Sequence, residues 1–155
     1  MIDALRFLSD YAGVYKGRGT NHEGQPFDGE FELSEMADFR GMNLKFKAQG
    51  DEGDVYHKEE TMIAPDVTGK PSLWSLCTNA PGMLQLSFRR YETADEEKKT
   101  LVFGLGDLGS DLGYRQEISI DLFRDGALGY RFAWGLPGGE FSPRSEVRMH
   151  KGRAQ

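Results

Sequence analysis

Arg124-Asp125-Gly126 stands between two runs of alternating residues, Tyr114 to Phe123 and Leu128 to Trp134. Asp-Gly in that setting is a strong short-range signal for a β-hairpin. A two-residue turn on Asp125-Gly126 would set Phe132 opposite Ser119 and Trp134 opposite Glu117, mixing polar and aromatic side chains on one face. A three-residue bend with Gly126 left-handed shifts the pairing by one. One face then carries Ile118, Ile120 and Leu122 against Leu128, Tyr130 and Phe132, with Gln116 beside Trp134. The other carries Glu117, Ser119 and Asp121 against Gly129, Arg131 and Ala133. Slipping by one residue exchanges the faces, so clean segregation selects the second register. The result is an antiparallel sheet with a wet side and an aromatic side that other strands must cover.

The rest of the chain supplies those strands. Val14 to Thr20 alternates Lys16 and Arg18 outward with Tyr15, Gly17 and Gly19 inward; the glycines permit either close approach of a neighbour or room for a bound molecule. Glu30 to Ser34 and Met42 to Ala48 flank a loop at 37–40, with Glu32 set against Lys45 and Glu30 against Lys47 on the solvent face. Val55 to Ala64 has no cleanly apolar face, which predicts a bulge near Glu59-Glu60 or an edge-like position. His57 and Glu59 share one side of it, at the separation by which a carboxylate orients an imidazole, and are expected to face solvent. Asn79-Ala80-Pro81-Gly82 is a turn. The best polar–apolar separation there turns Trp74, Leu76 and Thr78 inward with Leu84, Leu86 and Phe88, leaving Cys77 outside beside Gln85. Leu101, Phe103 and Leu105 point inward in the next strand. In the last, residues 144–150, Val147 and Met149 point inward while Glu146, Arg148 and His150 point outward.

Ten antiparallel strands with short connections predict an all-β, up-and-down barrel, since closure leaves no open edge. Residues 2–10 form the one helical candidate, with Ile2, Leu5 and Leu8 at helical spacing and Gly13 as a stop, and are expected to plug a barrel end. With 155 residues, the chain is expected to form a single domain over 1–155. Gly accounts for 20 residues, nearly twice the usual share of roughly 7%, as bent strands and many turns require.

A net charge of −6, with no basic run, argues against nucleic acid as a partner. Cys77 is the single cysteine, so an intramolecular disulfide and a multi-cysteine metal site are excluded. No stretch approaches the about 18 apolar residues of a membrane helix, and no leader-like start is seen; a cytoplasmic setting is expected. The loop at 106–113 has two aspartates but lacks the further acidic ligands of a calcium site.

Gly13-Val14-Tyr15-Lys16-Gly17-Arg18-Gly19 resembles the first strand of calycin-type barrels, the group of lipocalins, fatty-acid-binding proteins and nitrobindins. Tyr15 stands where the family's tryptophan is usual. The spacing of later glycines and the short first loop are closest to nitrobindins and to the similar bacterial DUF-fifteen-seventy-nine family. This resemblance implies a bacterial barrel holding a small ligand. Its nitrobindin branch implies haem held by a histidine near the C-terminus, for which His150 is the sole match.

The expected function is therefore binding of a small hydrophobic or amphipathic molecule inside the barrel. Tyr15, Phe46, Trp74, Phe88, Tyr130 and Trp134 are expected to line the interior, with Gln116 and Thr78 orienting a polar end. A nitrobindin-like haem protein and a barrel filled by its own side chains, with an interaction role, are the alternatives. No Ser-His-Asp or Cys-His grouping is apparent, so catalysis is not expected; His57 with Glu59 is the one pair suited to acid–base work. Charged outer faces predict a monomer or a modest homodimer.

Overall fold

A computed structural model describes residues 3–152. They form α1 (Ala4–Ser9) followed by β1 (Gly13–Thr20), β2 (Pro26–Met36), β3 (Gly41–Gly50), β4 (Val55–Pro65) and β5 (Pro71–Cys77). Then come β6 (Leu84–Glu92), β7 (Lys98–Leu105), β8 (Arg115–Phe123), β9 (Leu128–Gly135) and β10 (Ser142–Lys151). Every strand pairs antiparallel with its sequence neighbour, and β1 closes on β10.

The β8–β9 hairpin adopts the bulged register. Ile118 faces Phe132, Ile120 faces Tyr130, and Gln116 faces Trp134. The bend is closed by Phe123 and Ala127, with Gly126 at φ 92°, a conformation glycine adopts without steric cost. Glu32 pairs with Lys45 and Glu30 with Lys47, as expected.

Closure depends on the two glycines of β1. A Cβ at Gly17 would strike the Arg148 carbonyl and come within 2.9 Å of the Met149 Cα. At Gly19 it would lie 2.6 Å from both Phe27 and Val147. These glycines admit β10 and make no room for a ligand.

Helix α1 caps one end of the barrel. Its start is fixed by the Asp3 side chain, which accepts from the Arg6 amide at 3.1 Å. Leu8 is fully buried. Phe7 stacks on Tyr91 at 5.3 Å, and the Tyr11 hydroxyl donates to the Phe123 carbonyl at 2.6 Å. The helix is shorter than expected, and Ile2 lies outside the described residues. None of the described helices is long and apolar enough to cross a membrane.

Three expectations need correction. First, β5 is turned over: Leu73 and Ser75 face inward, while Trp74 pairs with Gln85 on the outer face and Leu76 is half-exposed. Thr78 leaves the strand and is exposed in the connection. Apolar residues occupy both faces of this strand, so alternation alone could not orient it. What orients it is Ser75, which lies opposite Thr61 and completes a buried polar cluster. Second, the irregularity in β4 falls at Tyr56, where Ala48 pairs with His57 and Gln49 with Val55, and not at Glu59-Glu60. The strand is interior to the sheet, and Glu59 faces inward at 2% exposure. Third, Glu117 and Asp121 are on the outer face but sealed. Arg90 grips Glu117 with two hydrogen bonds at 2.7 and 3.0 Å, and Arg131 grips Asp121 at 2.7 and 2.8 Å.

Candidate functional site

The barrel is packed solid toward α1 and open at the other end. Tyr15, Phe31, Leu44, Ile63 and Leu101 are at most 1% exposed. Beyond Phe46 the packing gives way to a cavity of about 320 Å³ at the opposite mouth. Its wall is mostly apolar, formed by Phe27, Phe46, Leu84, Phe132 and Trp134. His57, Ser75, Cys77 and Gln116 are among its polar side chains.

The β4 bulge shapes this lining. With one extra residue in the strand, both Tyr56 and His57 reach the cavity. The Tyr56 ring lies over Gly50, where a Cβ would collide with its phenol. Alternation then resumes and points Glu59 and Thr61 into the barrel below His57.

Glu59 is the hub of the floor. Its Oε1 lies 3.1 Å from His57 Nε2. Its Oε2 accepts from the Thr61 hydroxyl at 2.5 Å, from Ser75 at 3.2 Å and from the Tyr130 phenol at 3.1 Å. A carboxyl this deep must be hydrogen-bonded on both oxygens, and it is. Burial, with the Glu59 charge adding to it, pushes the Tyr130 phenol well above its ordinary pKa, so it remains a donor. His57 also packs edge-on to Phe132 at 5.4 Å and tilts against Phe46 at 5.9 Å, which fixes its ring plane.

The rim is built differently. The Tyr114 hydroxyl donates to Gln116 Oε1 at 2.9 Å; burial raises its pKa. Trp134 carries the Arg144 guanidinium 4.2 Å above its ring and His22 at its edge, 5.7 Å away. Arg144 is committed further, donating to the carbonyls of Trp134 and Glu140. Arg115, buried behind the mouth, donates to the carbonyls of Gly113, Leu136 and Gly139 and ties two connections together.

Cys77 faces the cavity, not solvent beside Gln85. Burial pushes its thiol up; the Glu59 charge adds to this, and the amides of Asn79 and Ala80 oppose it. It makes no hydrogen bond to His57, so the two do not form a nucleophile–base pair.

Of the eight interior residues expected from sequence, Phe46, Gln116 and Trp134 line the cavity. Tyr130 lies beneath it, holding Glu59. Tyr15 is near the α1 end, donating to the Tyr11 carbonyl at 2.6 Å. Phe88 packs edge-on to Phe103 outside the cavity. Trp74 and Thr78 are not in the interior. His57, Cys77 and Phe132 were not among the expected lining residues, and the Glu59 cluster was not foreseen as buried.

His150 lies exposed on the outer face of β10, opposite Lys16. A residue there fits no group held inside the barrel, so the haem reading loses its ligand. No cluster of three or more His, Cys, Asp or Glu suited to a metal ion occurs among the described residues.

No family model matches the chain, and no curated protein matches it by sequence. Among solved structures, it is similar to one titled "Crystal Structure of Rv2717c from M. tuberculosis". The likeness has a TM-score of 0.70, extends over 99% of both chains and comes with 15% identity. It is a likeness of fold.

Proposed function

We propose that this protein binds a small, mainly apolar molecule in the cavity at the open mouth of its barrel. The observation that carries the reading is the break in packing above Glu59. One half of the interior is filled, and the other holds about 320 Å³ within an aromatic wall bearing a few fixed polar groups. That combination suits small-molecule recognition. It also accords with the calycin-type resemblance of the first strand, although the occupied part of the barrel would be only its upper half.

Trp134 stands in the wall and Trp74, the other tryptophan, on the outer face. The variant Trp74→Phe therefore leaves one emission reporter at the site. Titrating it with fatty acids, retinoids and naphthalene derivatives should shift or quench Trp134 emission, saturably, for at least one class. A panel without a saturable change would refute the proposal.

A further inference from the structure

Resting on that reading of the cavity, we infer that its floor selects ligands whose head group donates a hydrogen bond, and rejects carboxylates. The selecting atom is Nδ1 of His57. In a neutral imidazole one nitrogen carries the proton and the other a lone pair, and a partner on one side decides which. Here Nε2 faces Glu59 Oε1 at 3.1 Å. The three hydroxyls at Oε2 are all placed to donate, which keeps Glu59 an acceptor at every contact. In the neutral ring the imidazole proton is thereby placed on Nε2, and Nδ1 is left with its lone pair.

No protein group uses that lone pair. His57 makes one side-chain hydrogen bond, to Glu59. The one buried, unpartnered side-chain nitrogen or oxygen among the described residues is Arg115 Nε, so His57 Nδ1, which has no partner, is an accessible atom of a ring that lines the cavity. A ligand reaching the floor thus meets an acceptor backed by a carboxylate.

Charge points the same way. No lysine or arginine lines the floor, and Arg144, the one arginine of the lining, is held at the rim by two carbonyls and the Trp134 ring. A carboxylate lowered to His57 would approach the buried Glu59 with no cation to offset it, an unfavourable arrangement. A phenol or an amine shares the required chemistry, an O–H or N–H directed at Nδ1. The volume is near the lower end for small-molecule sites, which favours bodies of one or two fused rings.

Isothermal titration with a matched naphthalene series tests this on the native chain. We expect 2-naphthol or 2-(aminomethyl)naphthalene to bind about tenfold more tightly than 2-methoxynaphthalene, the worth of one buried hydrogen bond, with 2-naphthoate weakest. The first two compounds separate neutral from cationic donors. Equal affinity across the series, or preference for 2-naphthoate, overturns the inference while leaving the binding function intact. No binding by any member overturns the inference, and the Trp134 titration with the wider panel then decides the binding function itself.

Glu59→Gln supplies a reversal test. The hydroxyls at Thr61, Ser75 and Tyr130 would keep the amide oxygen on their side and turn its NH2 toward His57 Nε2. The imidazole proton then moves to Nδ1, and the floor becomes a donor. Preference should invert, with 2-acetonaphthone gaining about tenfold over 2-naphthol, and imidazole nitrogen shifts should report the tautomer change. An unchanged preference with an unchanged tautomer refutes the assignment.

Discussion

Tyr130→Phe isolates the hydrogen bond that joins the two halves of the barrel. The ring is 1% exposed. It packs edge-on among Phe31, Phe46 and Phe132, at 5.2, 5.1 and 4.9 Å. Phenylalanine preserves that packing and removes only the hydroxyl that donates to Glu59 Oε2 at 3.1 Å. Because Thr61 and Ser75 still reach the same oxygen, the carboxyl is not orphaned. The loss should be near the lower end for a bond to a charged acceptor, about 1.5 kcal/mol. For a domain of this size that is about 3–6 °C in Tm. Urea unfolding should show a lower midpoint with an unchanged slope. The pH profile supplies a second check. Tyr130 has its pKa raised on folding, so its contribution is complete below pH 10, the ordinary value, and is lost as pH rises through the folded value. The gap between wild type and variant should stay constant from about pH 6 to 9 and narrow in strong alkali. A variant as stable as wild type, with no coupling to Glu59→Gln in a double-mutant cycle, would refute the description of Glu59 as the acceptor hub.

Asp121→Asn should cost about 2 kcal/mol at pH 7, since it weakens charged bonds from a partly exposed Arg131. Burial alone would raise the Asp121 carboxyl, but hydrogen bonds from Arg131 and Thr100 reverse this and hold it low. Its stabilisation is therefore present above the unfolded carboxylate range and lost as pH falls through the folded value; acid unfolding of the variant should be flatter, and an identical acid limb would contradict the pairing. Gly17→Ala should destabilise by about 3 kcal/mol, by forcing β10 away from β1. Gly82→Ala, where a Cβ meets nothing within 4 Å, should be near neutral in the same thermal assay; equal effects would sink the closure argument. Cys77, with its thiol pKa raised by burial, should react with a disulfide reagent at pH 7 about tenfold more slowly than a free thiol. A bound naphthalene ligand should slow it further, and a fast reaction indifferent to ligand would place Cys77 outside the cavity.

The hairpin at Asp125-Gly126 was legible because two independent signals agreed: a turn with one favoured conformation, and faces that segregate in one register. The same logic recovered the β2–β3 charge ladder and, through closure, the ten-strand barrel. It failed where the inside is polar. On β4, His57 and Glu59 were correctly placed on one face, but alternation assigns such a face to water. On β5, Leu73 and Ser75 compete with Trp74 and Leu76, and hydropathy favours the wrong pair. The useful signal lay between the strands. Ile63 at the end of the His57 face is fully buried in register with Met42, and an inward Glu59 then requires hydroxyl partners that an inward Ser75 can supply. Phe46, Gln116 and Trp134 were found because their strands have one unambiguous face; His57 and Cys77 were missed because theirs do not.

The position of Glu59 argues that its role lies in the site more than in the strength of the core. Replacing a buried ionic cluster with well-packed apolar groups is often neutral or stabilising, so stability alone gives little reason to place a carboxyl in the middle of a barrel. Glu59 sits at the boundary between the packed half and the cavity, and it orders a side chain on each side of that boundary. Below it, Tyr130 is locked into the aromatic core. Above it, His57 is held by one nitrogen, with its ring plane set by Phe46 and Phe132. Rigidity of the filled half is thus passed through a single carboxyl to the imidazole at the floor of the open half. A cavity floored by leucine would have the same shape but no means of telling one head group from another.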